Sequence, residues 1–390
     1  MANQQFSGKV YLLGAGASAE LKFSMTTQDA TAPPRRSHLD VLGPLSSGFF
    51  YHLNSFAAAV NKHSKQFDCQ PGQQLLKYIC EQYAPQELGQ SLSTKALLND
   101  ERQSRKVNIE ALFRKLELEQ EMQLANTDEL SSPKIFQELF RQTEPLRQLR
   151  AYLVESLAYI CHFCYSEHHR KLASSLESGD VIISFNWDIL MEQALRETGT
   201  WFYETGYGVT FKKVLHKSNK DYLTQTLPSA NLVLKPHGSI NWHQPAQSEE
   251  SVLNLAIPAD WGLRGGGGKA IALNQYEQGL GMTKMNAPGS GMFASPDVRD
   301  LMRATLEQAG EIIAIGFSFN DLDQHVRDEF THFSYHNKLT VRLVNPDGEN
   351  LLPVYREVFP TANVEVAAAT FGSFVETLRD AAASTTSSLN

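Results

Sequence analysis

Five short segments of this chain hold residue types able to grip a nucleotide or act on a sugar. The first is Gly14, Ala15, Gly16, Ala17 and Ser18, directly after an apolar run. Gly14 and Gly16 would let a backbone approach a pyrophosphate, and a helix starting there would add N–H donors and a favourable dipole. The dinucleotide fingerprint GxGxxG needs a third glycine at position 19, where this chain has Ala19, so an unliganded tight turn explains the segment equally well on its own. The second is Ser184–Asp188 (SFNWD). Asn186 can donate and accept at once, which suits a water or a sugar hydroxyl, while Asn186 or Asp188 could equally cap a helix. The third is Lys235–Trp242 (KPHGSINW). His237 is a candidate general base if its pKa lies near the ordinary value, and Gly238 permits close approach. With 12 histidines in the chain, position rather than presence is the argument. The fourth is Gly316–Asp321 (GFSFND), where Ser318 could donate to a phosphate or ribose oxygen. The fifth is Asn345, Pro346 and Asp347. A carboxylate there would accept from ribose hydroxyls and repel a 2′-phosphate. The plain alternative for the last two is a turn, since Gly, Asn, Pro and Asp build turns anyway.

Each segment follows a strand-like run. Lys9–Leu13, Val181–Phe185, Asn231–Lys235, Glu311–Ile315 and Leu339–Val344 are short, apolar and rich in β-branched residues, with a weaker run at Val364–Ala368. Such nearly continuous runs suit parallel strands buried on both faces. Helical stretches at Trp187–Thr198 and Ser295–Ala309 lie between them. That alternation predicts a doubly wound α/β sheet, with ligand-type residues at the strand ends.

Between about Phe49 and Leu176 the pattern becomes helical. Asn108 reads as the cap of a helix on which Ile109, Leu112, Phe113 and Leu116 share a face. Thr26–Ser47, rich in Ser, Thr, Pro and Gly, reads as a long loop or lid, and Gly265–Gly268 as a flexible loop rather than a phosphate cradle. The domain division expected is 1–48 with 177–378 as the nucleotide-binding unit, 49–176 as a helical insertion, and 379–390 as a flexible tail.

The formal net charge of -8 argues against a nucleic-acid partner. The N-terminus lacks the pattern of a signal peptide and no apolar run reaches membrane-span length, which points to a cytoplasmic location. Cys161 and Cys164 form a CxxC within a helical pattern whose stripe is Leu149, Leu153, Leu157 and Ile160. A zinc knuckle needs a turn and a second ligand pair, so these read as buried helical thiols and no zinc is expected.

Taken together and in this chain order, the five segments resemble the sirtuin-like (SIR2-like) superfamily. Its pattern of a GAG[IA]S loop, Asn-x-Asp, His-Gly, Gly-x-Ser and Asn-x-Glu aligns with Gly14–Ser18, Asn186/Asp188, His237/Gly238, Gly316/Ser318 and Asn345/Asp347. Departures are clear: the two CxxC pairs of the deacylase zinc module and the GIPDFR-type segment are missing, and SFNWD stands where deacylases carry TQN. SFNWD, KPHGSINW, IGFSFND and NIEALFRKLE look instead like the bacterial SIR2-like branch associated with antiphage defence.

The resemblance implies an α/β, Rossmann-like, doubly wound, mostly parallel sheet with a large helical insertion. It implies an NAD+ glycohydrolase that uses NAD as substrate and depletes it when triggered. Asn186, His237 and Asp188 would then be catalytic, and Gly14, Ala15, Gly16, Ser18, Gly316, Ser318, Asn345 and Asp347 would hold NAD. Control would come from homo-oligomerisation or a separate partner such as a HerA-type ATPase, with the helical section as the contact surface. The rival readings are a deacylase or ADP-ribosyltransferase using the same site, and a non-catalytic nucleotide sensor in a larger complex. A dehydrogenase fits less well, given the broken GxGxxG.

Overall fold

The computed structural model describes residues 6, 8–27, 35–62, 67, 69–125, 133–211, 213–215, 228–244, 254–256, 282–285, 296–319, 324–335 and 338–378. In chain order its strands are β1 (Lys9–Leu13), β2 (Glu20–Thr27), β3 (Arg35–Leu42), β4 (Cys164–Tyr165), β5 (Val181–Ser184), β6 (Lys213–Leu215), β7 (Leu232–Leu234), β8 (Gly238–Gln244), β9 (Asn254–Ala256), β10 (Met282–Met285), β11 (Glu311–Ile315), β12 (Thr340–Val344) and β13 (Asn363–Ala368).

The main sheet runs β13-β12-β11-β1-β5-β7. Every pairing in it is parallel. Counting only these six strands in chain order, the sequence across the sheet is 6-5-4-1-2-3. Read from the other edge, that is the doubly wound dinucleotide-binding order. The fold class is therefore α/β and Rossmann-like. Burial explains why the runs form strands here. In β1, β5 and β11 almost every residue is buried, as both faces are covered. The edge strand β13 instead alternates, covered on one face only. The helices Leu190–Glu197, Gln324–Thr331 and Gly348–Val358 fall between successive strands.

Two further sheets are smaller. One, β10-β8-β9-β6, carries the continuation of the His237 segment. The other, β3-β2-β4, takes β3 and the last two residues of β2 from the Thr26–Ser47 stretch read above as a loop or lid. There the hairpin pairs Glu20 with Leu42 through to Thr27 with Arg35. The polar composition suggested a loop, but Leu21, Phe23, Leu39 and Val41 alternate at strand spacing and turn toward the same apolar cluster. Residues 28–34, the Gly265–Gly268 run and the tail from 379 lie outside the described residues.

The apolar side chains form two cores. The first is the main sheet with its helices, including Leu12, Ile183, Ile313 and Leu343. The second joins the β2–β3 hairpin to the long helices, with Phe50, Leu53, Leu112, Phe113 and Leu153 at its centre. Asn108 caps the Ile109–Ala125 helix as expected, its Oδ1 accepting from the amides of Glu110 and Ala111 at 2.9 and 3.1 Å. Cys161 lies in the last turn of a helix, Pro133–Phe163, whereas Cys164 begins β4, so only one of the two thiols is helical. Both are buried, and burial raises both pKa values well above the ordinary thiol range.

Phe113 is fully buried and meets Trp187 edge-on at 5.5 Å, linking the helical core to the segment after β5. Phe113→Ala is expected to destabilise the fold by about 3–5 kcal/mol, read as a shift in the denaturation midpoint. A shift under about 1 kcal/mol would show that this contact does not anchor the segment after β5 to the helical core.

Candidate active site

The site is built at the point where the strand order reverses, between β1 and β11, at their carboxyl ends. The loops after these strands touch backbone to backbone. Gly14 donates its amide to Ile315 O at 3.0 Å, and Gly16 donates to Gly316 O at 3.3 Å. Gly316 has φ +60, and a Cβ on it would lie 2.5 Å from the amide nitrogen of Ala17. A Cβ on Gly14 would strike the Gly316 carbonyl oxygen. The glycines thus let two loops close on each other, which is a different need from the ligand approach inferred above. No long helix follows the first loop. Ala15–Ser18 is one 3-10 turn, and the chain re-enters a strand at Glu20. The expected helix dipole at this loop is therefore replaced by four residues of turn, because the β2 strand is pulled into the second core.

The segment after β5 closes the third side. Phe185 turns into the first core and Trp187 into the second. Asn186, between them, donates from Nδ2 to Gly14 O at 3.0 Å and to Ser18 Oγ at 3.1 Å. Both amide hydrogens are then used, leaving Oδ1 as the acceptor. Asp188 Oδ1 accepts the amide of Leu190 at 3.0 Å, so its carboxylate braces the start of the Leu190–Glu197 helix.

His237 lies in a tight turn. Gly238 N donates to Lys235 O at 3.0 Å, with Pro236 in the second position and Gly238 at φ +79. These are the residue preferences of a type I turn. The imidazole is buried, edge-on to Phe185 at 5.2 Å and stacked near His325 at 5.8 Å. Its Nε2 takes no hydrogen bond among the described residues. Removal from water, with His325 adding, holds its pKa down to about 3. The surroundings thus depart from the near-ordinary value considered in the sequence: burial disfavours the charged imidazole, and its Nε2 is buried without a hydrogen bond among the described residues.

The remaining candidates lie on the other side of the switch point. Ser318 is half-buried in the loop after β11. That loop is anchored by Tyr355 Oη donating to Phe317 O at 2.8 Å, and Phe317 stacks on Phe185 at 4.4 Å. Phe319 has φ 48, a left-handed backbone unusual for a bulky residue. Asn345 Oδ1 accepts the Asp347 amide at 2.9 Å in an Asx turn, and Asp347 is exposed. The structure thus joins Gly14, Gly16, Ser18, Asn186 and Gly316 by direct contact, and His237 through Phe185 and Phe317. Asn345 and Asp347 sit one strand further out, and Ala15 lies in the turn itself. Missed from sequence was Glu192, whose buried carboxylate faces Lys235. Glu and Lys are rarely fully buried unless paired, so only the fold could have singled it out.

No family model matches the chain, and no curated protein matches it. Solved structures do. A Sir2 homolog–NAD complex is similar at 14% identity and TM-score 0.36, over 81% of this chain and 96% of that one. A mutant Sir2 homologue bound to ADP-ribose is similar at 15% identity and TM-score 0.36, over 66% of this chain and 82% of that one. Another, with 2′-O-acetyl ADP-ribose, is similar at 16% identity and TM-score 0.34, over 65% and 80%. Likeness at this level does not reach side chains, and the fold stands on its own strand order. Among the described residues no helix is long and apolar enough to cross a membrane.

Two predictions come from this geometry. Gly316→Ala forces a side chain into the Gly16–Ala17 backbone at positive φ, and is expected to cost about 2–4 kcal/mol. A denaturant midpoint unchanged from the parent would contradict the loop contact. The second concerns pH. Burial also holds His169 down, to about 4. Both imidazoles take protons more readily when unfolded, where the pKa is about 6.5. Their contribution to stability is complete above that value and is lost as pH falls from it toward 4 for His169 and 3 for His237. The melting temperature should fall between about pH 6.5 and 4, and His237→Gln should flatten that fall. An identical profile in the variant would mean that His237 is not held neutral.

Proposed function

We propose that this chain is an NAD+ glycohydrolase, cleaving NAD+ to nicotinamide and ADP-ribose. The observation that carries the reading is the bonding of the Asn186 amide to the Gly14–Ser18 loop, with His237, whose buried Nε2 takes no hydrogen bond among the described residues, packed on the neighbouring Phe185. Nicotinamide leaves as a neutral group, so no strong acid is needed. The ribose passes through an oxocarbenium-like state, which fixed dipoles aimed at the sugar stabilise. Asn186 Oδ1 would accept from a ribose hydroxyl or the attacking water. His237 Nε2 would accept the proton that this water releases as its oxygen bonds to C1′. Asp188 would orient the carboxamide. Gly14, Ala15, Gly16, Ser18, Gly316 and Ser318 would hold the pyrophosphate side, and Asn345 with Asp347 the adenosine ribose.

The reading extends, on the resemblance stated above, to an antiphage effector that depletes NAD when triggered, held off until an oligomer contact or a HerA-type ATPase partner engages it. The same site used on an acylated or acceptor protein would make it a deacylase or ADP-ribosyltransferase.

The test is NAD+ consumption by the purified protein, with chromatography of the products. Free ADP-ribose and nicotinamide are expected. O-acyl-ADP-ribose or labelled protein would favour transfer instead. His237→Ala and Asn186→Ala should each lower turnover by about 100-fold or more with the fold intact. Full turnover in both variants would overturn the assignment.

A further inference from the structure

Beneath the candidate site lies a set of charged and polar groups that the chemistry above does not use. Lys235 is fully buried, and its Nζ sits 3.2 Å from Glu192 Oε1, whose side chain is only 1% exposed. The same Nζ donates to the main-chain oxygen of Asp188 at 2.6 Å. Tyr207 Oη donates to Glu192 Oε1 at 3.3 Å and accepts from Asn241 Nδ2 at 3.0 Å. Tyr207 and Asn241 are themselves fully buried.

The placement of these groups along the chain is what gives them a role. Lys235 stands two residues before His237, and Asn241 stands four residues after it. Both are tied to one carboxylate, directly in one case and through the Tyr207 hydroxyl in the other. That carboxylate belongs to the Leu190–Glu197 helix, which begins just after the Asn186–Asp188 segment. Ile240 N also donates to Trp187 O at 3.0 Å, fastening the same two segments by their backbones. The turn carrying His237 is therefore held on both flanks to the segment carrying Asn186.

Stability alone is a poor reason for such an arrangement. Taking a lysine and a glutamate out of water is costly, and an apolar pair of similar volume is often as stable or more so. What an apolar pair lacks is direction: it cannot fix one carbonyl and one carboxylate at hydrogen-bond distance. We propose that Lys235 and Glu192, with Tyr207 and Asn241, are positioning residues that clamp the His237 turn to the Asn186–Asp188 segment and so set the distance between the two groups acting on the ribose. The kinetic part of this proposal rests on the NAD-cleaving reading.

The experiment uses the full chain and two variants. Lys235→Met/Glu192→Leu removes both buried charges together, leaving no orphaned ion. Tyr207→Phe keeps the ion pair and cuts only the arm to Asn241. Each is measured for NAD+ turnover, melting temperature and the imidazole 13Cε1 resonance of His237, assigned with His237→Gln. The clamp predicts a double variant that melts near the parent, with kcat down about 100-fold and KM within about threefold. Tyr207→Phe should lose about tenfold in kcat. In both, the His237 resonance should shift or split. A folded double variant with the parent's kcat and an unmoved resonance would reduce the network to packing. Should the double variant not fold, Tyr207→Phe decides in the same way. If the parent itself turns over no NAD+, the proposed function fails, while the resonance still decides the clamp: moved supports it, unmoved overturns it.

Discussion

The close approach of two backbones between β1 and β11 sets the rest of the site. The main sheet reverses its strand order there, the place at which doubly wound sheets generally bind their ligands. In this chain the loops also touch, Gly14 and Gly16 against Gly316, at distances that admit no Cβ. The contact brings Ser18 and the Gly14 carbonyl to where Asn186 can reach both. It also seats Phe317 against Phe185, which in turn flanks His237. A larger residue at any of the three glycines would push the loops apart and take the other groups with them.

A second constraint is the course of Phe185, Asn186 and Trp187. Strand geometry ends at Ser184, so Phe185 and Trp187, which a regular strand would put on one face, enter different cores. One is the sheet core and the other the helical core, so the segment is pinned by aromatic burial on both. Asn186 lies on the seam. Polar groups at such a seam gain precision from packing they do not take part in. The buried Lys235–Glu192 pair and the Ile240–Trp187 backbone bond both tie the chain around His237 to the chain after β5.

Much of the sheet was legible in the sequence because burial on both faces demands runs of apolar, β-branched residues that hydrated segments lack. The cap at Asn108 was legible for a local reason: a cap bonds within three residues. The hairpin of β2 and β3 was not read, since its alternating apolar residues are diluted by Ser, Thr and Arg and its partner β4 lies far away in the chain. The absence of a helix after Gly14–Ser18 followed from the same pairing. His237 was picked out by position, whereas the depression of its pKa was not legible, because it comes from burial and from groups such as Phe185 and His325 that lie far off in the chain.

By itself the sequence determined the strand runs, their βα alternation and the polar residues at their ends, all set by local periodicity and by residue type. Only the tertiary structure decided which ends meet. Strand order, the mutual contact of the glycine loops, the pairing of Lys235 with Glu192 and the neutrality of His237 arise from groups tens to hundreds of residues apart. Their energies depend on exclusion of water by both cores at once, and no local pattern encodes that.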